Sequence, residues 1–163
     1  MIRVGFGGSC HWCTEAIFQS LCGVREVLQG WIATYGDDFS EAVIVKFDEM
    51  EISLEVLVAV HLATHSCTAE HSMRRKYRSA VYVYDDEQDE RARVAIAQLQ
   101  AEYAEPIITQ VLTMKEFKLN QPEYLSYYFR DPQKPFCENI VRPKLQILLE
   151  RFRNSVDEER LRL

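Results

Sequence analysis

Short apolar runs alternate with polar segments along the first half of the chain, and their spacing predicts secondary structure. The run 2–7 ends in glycines and predicts a strand. Ile17, Phe18 and Leu21 fall on one helical face, and this spacing predicts a helix before Gly23. Two further strands are predicted over 24–32 and 41–48. A turn signal over 35–38 separates them, which predicts that they pair antiparallel.

The second half of the pattern predicts two helices and two strands. Ser53 is the predicted N-cap of a helix that runs through His61. Alternating β-branched and aromatic residues predict a strand over 78–84. A long helix is expected after Asp85 and before Pro106, followed by a strand over 107–112.

The element order β-α-β-β-α-β-α-β predicts an α+β fold, a two-layer sandwich with a ferredoxin-like βαββαβ core. From about residue 120 the chain contains four prolines and is expected to be largely irregular. A charged terminal helix is predicted from about residue 142. No linker separates these parts, so we predict a single domain over 1–163.

Composition narrows the classes of partner and compartment. The chain has 163 residues, 47% of them hydrophobic, and a net charge of -6, which gives it no basic surface for a nucleic acid. No stretch reaches the roughly 20 apolar residues of a membrane span, and the N-terminus lacks a secretion signal. The chain has five cysteines, an odd number, and is large enough to fold without disulfide bonds. This cysteine content favours a reducing compartment, the cytoplasm.

Cys10 is the most informative position, because it lies where a glycine-ended strand passes into a helix. Free N–H groups and the helix dipole favour a thiolate at such a place. A buried, unreactive cysteine is the plainer interpretation. Cys10 and Cys13 also form a C-x-x-C pair, which is typical of thiol–disulfide oxidoreductases.

A metal site is a third interpretation of the same cysteines. Histidines and a further cysteine occur later in the chain and could join Cys10 and Cys13 around zinc; they are His61, His65, Cys67 and His71. There is no second C-x-x-C, and these later residues lie across a predicted helix end. Zinc is therefore the weaker alternative.

The segment 8–15, Gly-Ser-Cys-His-Trp-Cys-Thr-Glu, resembles the G-C-F-W-[CGS]-x-E segment of the A-type peptide-methionine sulfoxide reductases. Four further pieces resemble this family in the family's order: Gly30-Trp31, Glu41-Ala42-Val43, Tyr77-Arg78-Ser79-Ala80, and a tail from Tyr124 to Lys144. Together they cover about residues 4–145. Each piece is short, but five in the correct order identify the chain as a divergent member of the family.

The resemblance implies an enzyme that reduces methionine S-sulfoxide, free or in proteins. Cys10 then corresponds to the nucleophile that becomes a sulfenic acid. Glu41 corresponds to the acid that protonates the leaving oxygen. Tyr77 corresponds to a hydroxyl that hydrogen-bonds that oxygen, and Trp12 to a wall of the pocket for the S-methyl group.

The resemblance also implies how the enzyme is reset. Cys137, in the proline-rich tail, is the best candidate to condense with the Cys10 sulfenic acid, with Cys13 as its competitor. No cofactor is expected beyond an external dithiol, which the family implies is thioredoxin. Such an enzyme repairs proteins under oxidative stress.

Three candidate substrate-binding positions depart from the family pattern. His11 stands where phenylalanine is usual, which makes one pocket wall polar and titratable. Trp31 stands in place of a second tyrosine. Residues 71–77 correspond to the family pattern N-D-x-G-x-Q-Y. At these positions Ser72 replaces an aspartate and Lys76 replaces a glutamine. We expect retained activity, whereas the substrate preference and the rate do not follow from the sequence.

Overall fold

A computed structural model describes residues 1–161 of the chain. Strands and helices alternate in the predicted order. The five strands are β1 (Ile2–Gly7), β2 (Val24–Thr34), β3 (Asp37–Phe47), β4 (Ala80–Val83) and β5 (Gln110–Leu119). The helices between them are α1 (His11–Gln19), α2 (Leu54–Ala63) and α3 (Asp86–Leu99).

The five strands close into a barrel in the order β1-β3-β2-β5-β4. β1 is antiparallel to both β3 and β4, β2 is antiparallel to β3 and β5, and β4 is parallel to β5. The α+β class is as predicted, but the open two-layer sandwich with a ferredoxin-like core is wrong. The reason is β5, which pairs with β2 and with β4 and so joins the two ends of the sheet.

The N-termini of α2 and α3 follow from the residues that precede them. The Ser53 hydroxyl accepts the Val56 N–H at 3.2 Å, and the Asp85 carboxylate accepts the Gln88 N–H at 2.8 Å. These bonds satisfy donors that a helix start leaves free. In α1, Phe18 stacks on Phe6 of β1 with 4.6 Å between ring centroids, which ties the helix to the strand before it.

The tail beyond residue 120 contains more helix than predicted. It forms α4 (Tyr127–Arg130), a π-helical turn (Cys137–Val141), α5 (Arg142–Phe152) and α6 (Glu158–Leu161). The start of α5 matches the predicted helix from about 142, but the expectation of a largely irregular tail is wrong. Packing explains the difference, because Tyr128, Val141 and Leu145 are buried in the main core. None of the helices in residues 1–161 is long and apolar enough to span a bilayer.

Candidate active site

Cys10 lies at the N-cap of α1, directly after the turn that follows β1. Its half-buried side chain opens onto a cavity of about 540 Å³. The wall of this cavity combines α1 with the α2–β4 connection and the tail, and its side chains include Cys13, His65, Met73, Tyr77, Phe136 and Lys144. A nucleophile at this position faces solvent on one side and the protein core on the other.

The surroundings of Cys10 favour its thiolate. A hydrogen bond from the Cys13 thiol lowers the pKa of Cys10, and the backbone N–H groups of Trp12 and Cys13 lower it further. Burial and the Glu41 carboxylate oppose these effects, but the net direction is down. The same hydrogen bond, together with burial, raises the pKa of Cys13, so that Cys13 stays a protonated donor. One thiol of the C-x-x-C pair is therefore prepared to react and the other to support it.

Glycine and two histidines fix the turn that carries Cys10. A Cβ on Gly7 would lie 2.9 Å from the Glu41 carbonyl oxygen, so only glycine lets β1 and β3 approach this closely. The Gly7 carbonyl contacts His61 Nε2 at 2.7 Å, and His65 lies against Gly8, which has a φ of 154°. Burial lowers the pKa of both histidines, that of His65 to about 4, so both are neutral at pH 7.

Glu41 lies on β3, where β2 pairs it with Trp31. Its side chain is buried, with the residue 7% exposed. One carboxylate oxygen, Oε1, accepts the His11 backbone N–H at 3.2 Å. The other, Oε2, lies 3.6 Å from Lys76 Nζ. The sheet therefore brings the predicted acid to the start of α1, close enough to Cys10 for its charge to affect the thiol.

His11 is buried at the first residue of α1, faces Glu41 and does not line the cavity beside Cys10. Its Nδ1 lies 2.6 Å from the Gly30 carbonyl oxygen, and its Nε2 lies 3.6 Å from Glu41 Oε1. The imidazole also contacts the edge of Trp31, with ring centroids 5.1 Å apart. Burial lowers the pKa of His11, and its effect exceeds the opposite effects of the hydrogen bond to Gly30 and of the Glu41 charge.

Tyr77 and Trp12 occupy different sides of the Cys10 turn. Tyr77 lines the cavity beside Cys10, as its predicted role requires. Trp12 is half-buried under the tail: Tyr127 stacks on it with 3.9 Å between centroids, and Phe136 meets it edge-on at 5.5 Å. The predicted pocket wall is therefore covered by tail aromatics.

Ser72 and Cys137 differ from what the sequence suggested. Ser72 is exposed in the 3-10 turn Ser72–Arg75 and, unlike His71 and Met73 on either side, does not line the cavity. Cys137 is fully buried in the π-helical turn, not on a loosely structured segment. Its charge, when ionised, would raise the pKa of Cys13, so these two thiols are neighbours.

Three polar residues at the site are not among the predicted catalytic and substrate-binding residues. Asn120 donates to Gln29 Oε1 at 2.6 Å and lies 3.4 Å from His11 Nε2. His65 joins the cavity wall, and Lys76 approaches Glu41. Only Lys76 had a usable sequence signal, since it directly precedes the motif tyrosine. Within residues 1–161, the Cys and His side chains form no cluster of three or more potential metal ligands with Asp or Glu.

Comparisons with known proteins agree with this geometry. The family model for peptide methionine sulfoxide reductase matches residues 3–156. A peptide methionine sulfoxide reductase MsrA from Pasteurella multocida is 32% identical over 155 residues, covering 85% of this chain and 89% of that protein. Mxr1 from Saccharomyces cerevisiae in reduced form has a similar fold, with a TM-score of 0.71 at 18% identity over 83% of this chain and 88% of that one. Mxr1 in complex with Trx2 also matches, with a TM-score of 0.59 at 17% identity over 77% and 84% of the two chains.

A reactive thiol at a helix start, with a carboxylate behind it, defines a thiol-dependent reductase. The chain belongs to the peptide methionine sulfoxide reductase family. The family predicted from the five motif segments is confirmed, and with it the class of enzyme, a methionine sulfoxide reductase.

Proposed function

We propose that this chain reduces the S epimer of methionine sulfoxide, free or in proteins, with Cys10 as the nucleophile. The observation that carries this assignment is the Cys10 thiol at the N-cap of α1, where three hydrogen bonds lower its pKa. Glu41 lies on the inner side of the same turn and the cavity on its outer side. A sulfoxide bound at Cys10 takes its proton in this proposal from Glu41, which lies near the thiol but does not line the cavity.

In the first half-reaction the Cys10 thiolate attacks the sulfoxide sulfur. The new bond between Cys10 Sγ and the substrate sulfur forms as the sulfoxide oxygen takes up a proton. The oxygen then transfers to Cys10 Sγ while the substrate S–O bond and the new S–S bond both break, so that methionine leaves in reduced form and Cys10 remains as a sulfenic acid. The oxygen needs a proton as negative charge develops on it, and Glu41 supplies it. The Tyr77 hydroxyl on the cavity wall stabilises the same charge.

Substrate binding is assigned to the aromatic residues around this centre. Trp31 contacts the His11 ring, and Trp12 follows His11 in the chain. For Trp12 to contact a methyl group, Tyr127 has to move off its face, since the two rings now stack 3.9 Å apart. The exposed position of Ser72 gives no support to a binding role, and it is left out of the proposal.

In the second half-reaction Cys137 condenses with the Cys10 sulfenic acid, releasing water and forming a disulfide. α1 packs against the turn that holds Cys137, which supports this pairing. A dithiol then reduces the disulfide and is itself oxidised. We propose thioredoxin as this dithiol, because a reductase of similar fold, Mxr1, is known in complex with Trx2. The five free cysteines among the described residues suit a reducing, cytoplasmic setting.

The proposal is tested with the separate S and R epimers of a methionine sulfoxide peptide and dithiothreitol. We expect methionine from the S epimer and none from the R epimer, measured by chromatography. Equal reduction of both epimers would contradict the stereochemical assignment, and reduction of neither would contradict the activity.

A second candidate function is general thiol–disulfide exchange through Cys10 and Cys13. The hydrogen bond between their thiols, which pushes their pKa values apart, favours it. Reduction of insulin disulfides as fast as the S sulfoxide would support this alternative. We expect insulin reduction to be much slower, because the half-buried Cys10 lies beside Phe136 and Tyr77 in a cavity that admits a side chain.

A further inference from the structure

The cavity beside Cys10 has a positively charged wall. Lys144, in the first turn of α5, is half-buried and lines it. Among residues 1–161, no aspartate or glutamate lines the cavity. The chain as a whole carries a net charge of -6. The wall is therefore opposite in charge to the protein around it, and a cleft lined by one sign of charge attracts ligands of the other sign.

The Lys144 ammonium group has no counter-ion in the part of the chain that the structure describes. It forms no ion pair with an aspartate or glutamate of residues 1–161. Its charge acts on the interior of the site, because it lowers the pKa of Cys13, His61 and His65. An ammonium group has three N–H donors, and those of Lys144 can bind an anion that enters the cavity.

Arg74 adds a second, fixed positive charge beside the turn that carries Cys10. Its guanidinium donates to four carbonyl oxygens, those of Ser66 at 2.6 Å, Gly8 at 2.8 Å, and Ala69 and Tyr77 at 2.9 Å. All four acceptors are neutral, so these bonds hold the charge in place without cancelling it. Arg74 therefore attracts an anion through its charge, whereas Lys144 can also contact it directly.

The segment 71–77 owes its positive charge to three departures from the family pattern N-D-x-G-x-Q-Y. Ser72 stands for the aspartate, Arg74 for the glycine and Lys76 for the glutamine. One negative charge is lost and two positive charges are gained. The residues on either side of Ser72 line the cavity, so the change of charge falls at its rim.

Two carboxylates near the rim offset part of this charge. Glu41 Oε2 lies 3.6 Å from Lys76 Nζ. Glu70 is near enough to Arg74 to raise the pKa of its guanidinium, but Glu70 is exposed, so water and salt weaken its effect. Neither carboxylate lines the cavity, and the surplus of positive charge faces its interior.

We propose that this cavity binds a carboxylate beside the sulfoxide, so that the enzyme prefers methionine sulfoxide that carries one. Such a carboxylate comes either from the main chain of free methionine sulfoxide or from an acidic residue next to methionine sulfoxide in a peptide. The inference rests on the proposed function and adds the substrate class to it. Lys144 and Arg74 determine specificity in this proposal and take no part in the chemistry. The cavity volume of about 540 Å³ suits a small ligand.

The first arm of the test compares acetylated and amidated peptides that contain the S epimer of methionine sulfoxide and differ in one neighbouring residue. Aspartate, asparagine or lysine at that place varies the charge, and asparagine matches aspartate in shape. At low salt we expect kcat/KM for the aspartate peptide to exceed that for the asparagine peptide about fivefold, with the lysine peptide slowest. The difference should lie in KM, because the attraction acts on bound substrate and transition state alike, and high salt should reduce it.

The second arm tests the main-chain carboxylate with N-acetylmethionine S-sulfoxide and its methylamide. The acid should have a kcat/KM about fivefold higher than the amide. A preference in the first arm alone assigns the cavity to acidic peptides. A preference in the second arm alone assigns it to the free amino acid.

Three variants locate the preference, which is measured as the ratio of kcat/KM for the aspartate and asparagine peptides. Lys144→Gln should bring this ratio towards one, because the direct contact is lost. Ser72→Asp restores the acid of the family pattern at an exposed position and should also lower the ratio. Lys115→Gln removes one positive charge from the exposed side of β5, next to Tyr35, and should keep the wild-type ratio.

Binding to Cys10→Ser keeps the test independent of turnover. Calorimetry should show that this variant binds the aspartate peptide about fivefold more tightly than the asparagine peptide. If the wild type reduced none of the peptides while this difference in affinity remained, the proposed function would be overturned and the carboxylate site retained.

Equal kcat/KM within each pair of substrates, aspartate against asparagine and acid against amide, would overturn the preference itself. A wild-type ratio in both Lys144→Gln and Ser72→Asp would overturn its assignment to this cavity.

Discussion

The two sides of Cys10 differ in chemistry and in how the fold builds them. On one side lies a polar cluster built by the sheet, where β2 and β3 place Trp31 opposite Glu41. The His11 ring lies close to both of these residues. On the other side lie thiols and apolar side chains made by packed helices, with Cys13 and Cys137 both in the main core. In the proposed mechanism the polar side delivers the proton and the sulfur side resolves the sulfenic acid. The two proposed half-reactions thus use different sides of Cys10.

The largest expected effect comes from Cys10, which both sides share. Cys10→Ser should lower sulfoxide reduction by on the order of a thousandfold or more, because a hydroxyl is hardly ionised at neutral pH and forms no sulfenic acid. Methionine release in a single turnover measures this. Cys22→Ser, which alters an exposed cysteine, is the control and should behave as the wild type. Substantial activity in Cys10→Ser would show that another thiol is the nucleophile.

The polar side is tested alone with Glu41→Gln. We expect the single-turnover rate to fall by about a hundredfold, because the amide cannot donate a proton as an acid does. The thiol should ionise more readily in this variant, since Glu41 raises the pKa of Cys10, and absorbance of the thiolate at different pH values would show it. Glu116→Gln, on the exposed face of β5, is the control. An unchanged rate would make Glu41 a structural carboxylate.

The sulfur side is tested alone with Cys137→Ser. This variant should still release one equivalent of methionine per enzyme, but its turnover with thioredoxin should fall about tenfold or more for want of a resolving thiol. A dimedone-type reagent should then trap the sulfenic acid at Cys10, seen by intact mass. Cys67→Ser, which removes another buried cysteine, is the control.

Peptide mapping of the oxidised wild type distinguishes the two resolving candidates. We expect a Cys10–Cys137 disulfide. A Cys10–Cys13 disulfide with normal turnover of Cys137→Ser would assign resolution to Cys13, which already donates a hydrogen bond to Cys10.

The smallest effect concerns stability and the histidines beneath the Cys10 turn. The pKa of His65 is about 4 in the folded chain, below its ordinary value of 6.5. Below pH 6.5 the unfolded chain binds more protons, so stability falls as the pH drops from 6.5 towards 4. Between pH 7 and 5 we expect His65 to account for a loss of about 2 kcal/mol.

Urea unfolding at both pH values measures this loss. His65→Gln should unfold with a weaker pH dependence than the wild type, whereas His71→Gln, at an exposed position, should retain the wild-type dependence. Identical slopes for the wild type and His65→Gln would refute the role of His65.

The sequence predicted most individual helices and strands, because their caps and apolar spacing lie within the elements themselves. The spacing of Ile17 and Phe18, the caps Ser53 and Asp85, and the apolar run of β1 each determine their own element. The second half of β5 was not predicted, because residues 113–119 mix charged and apolar side chains, are mostly exposed and contain no apolar run. Barrel closure depends on those residues, so it was missed as well.

The candidate site was predictable where a motif carried it and not where tertiary contacts did. Cys10 and Glu41 come together as the motifs implied. The burial of Cys137 was not foreseen, because its neighbouring prolines suggested irregular chain, whereas Pro143 in fact lies in the first turn of α5, where proline is tolerated. The contact between Lys76 and Glu41 joins two segments that are distant in the sequence, so no local pattern predicts it. The Glu41 N–H holds the segments together by donating to the Lys76 carbonyl oxygen at 2.9 Å.

Closure of the sheet has a consequence for the proposed movement of the tail that brings Cys137 to Cys10. Each of the five strands hydrogen-bonds to two others, and Cys137 lies in the helical segment beyond β5. Movement of that segment breaks side-chain packing and leaves the strand ladder intact. An unpaired strand edge is a template for aggregation, and the pairs that β5 makes with β2 and with β4 do not involve the segment that holds Cys137. The proposed catalytic cycle can therefore move the tail repeatedly while these strand pairs stay closed to other chains.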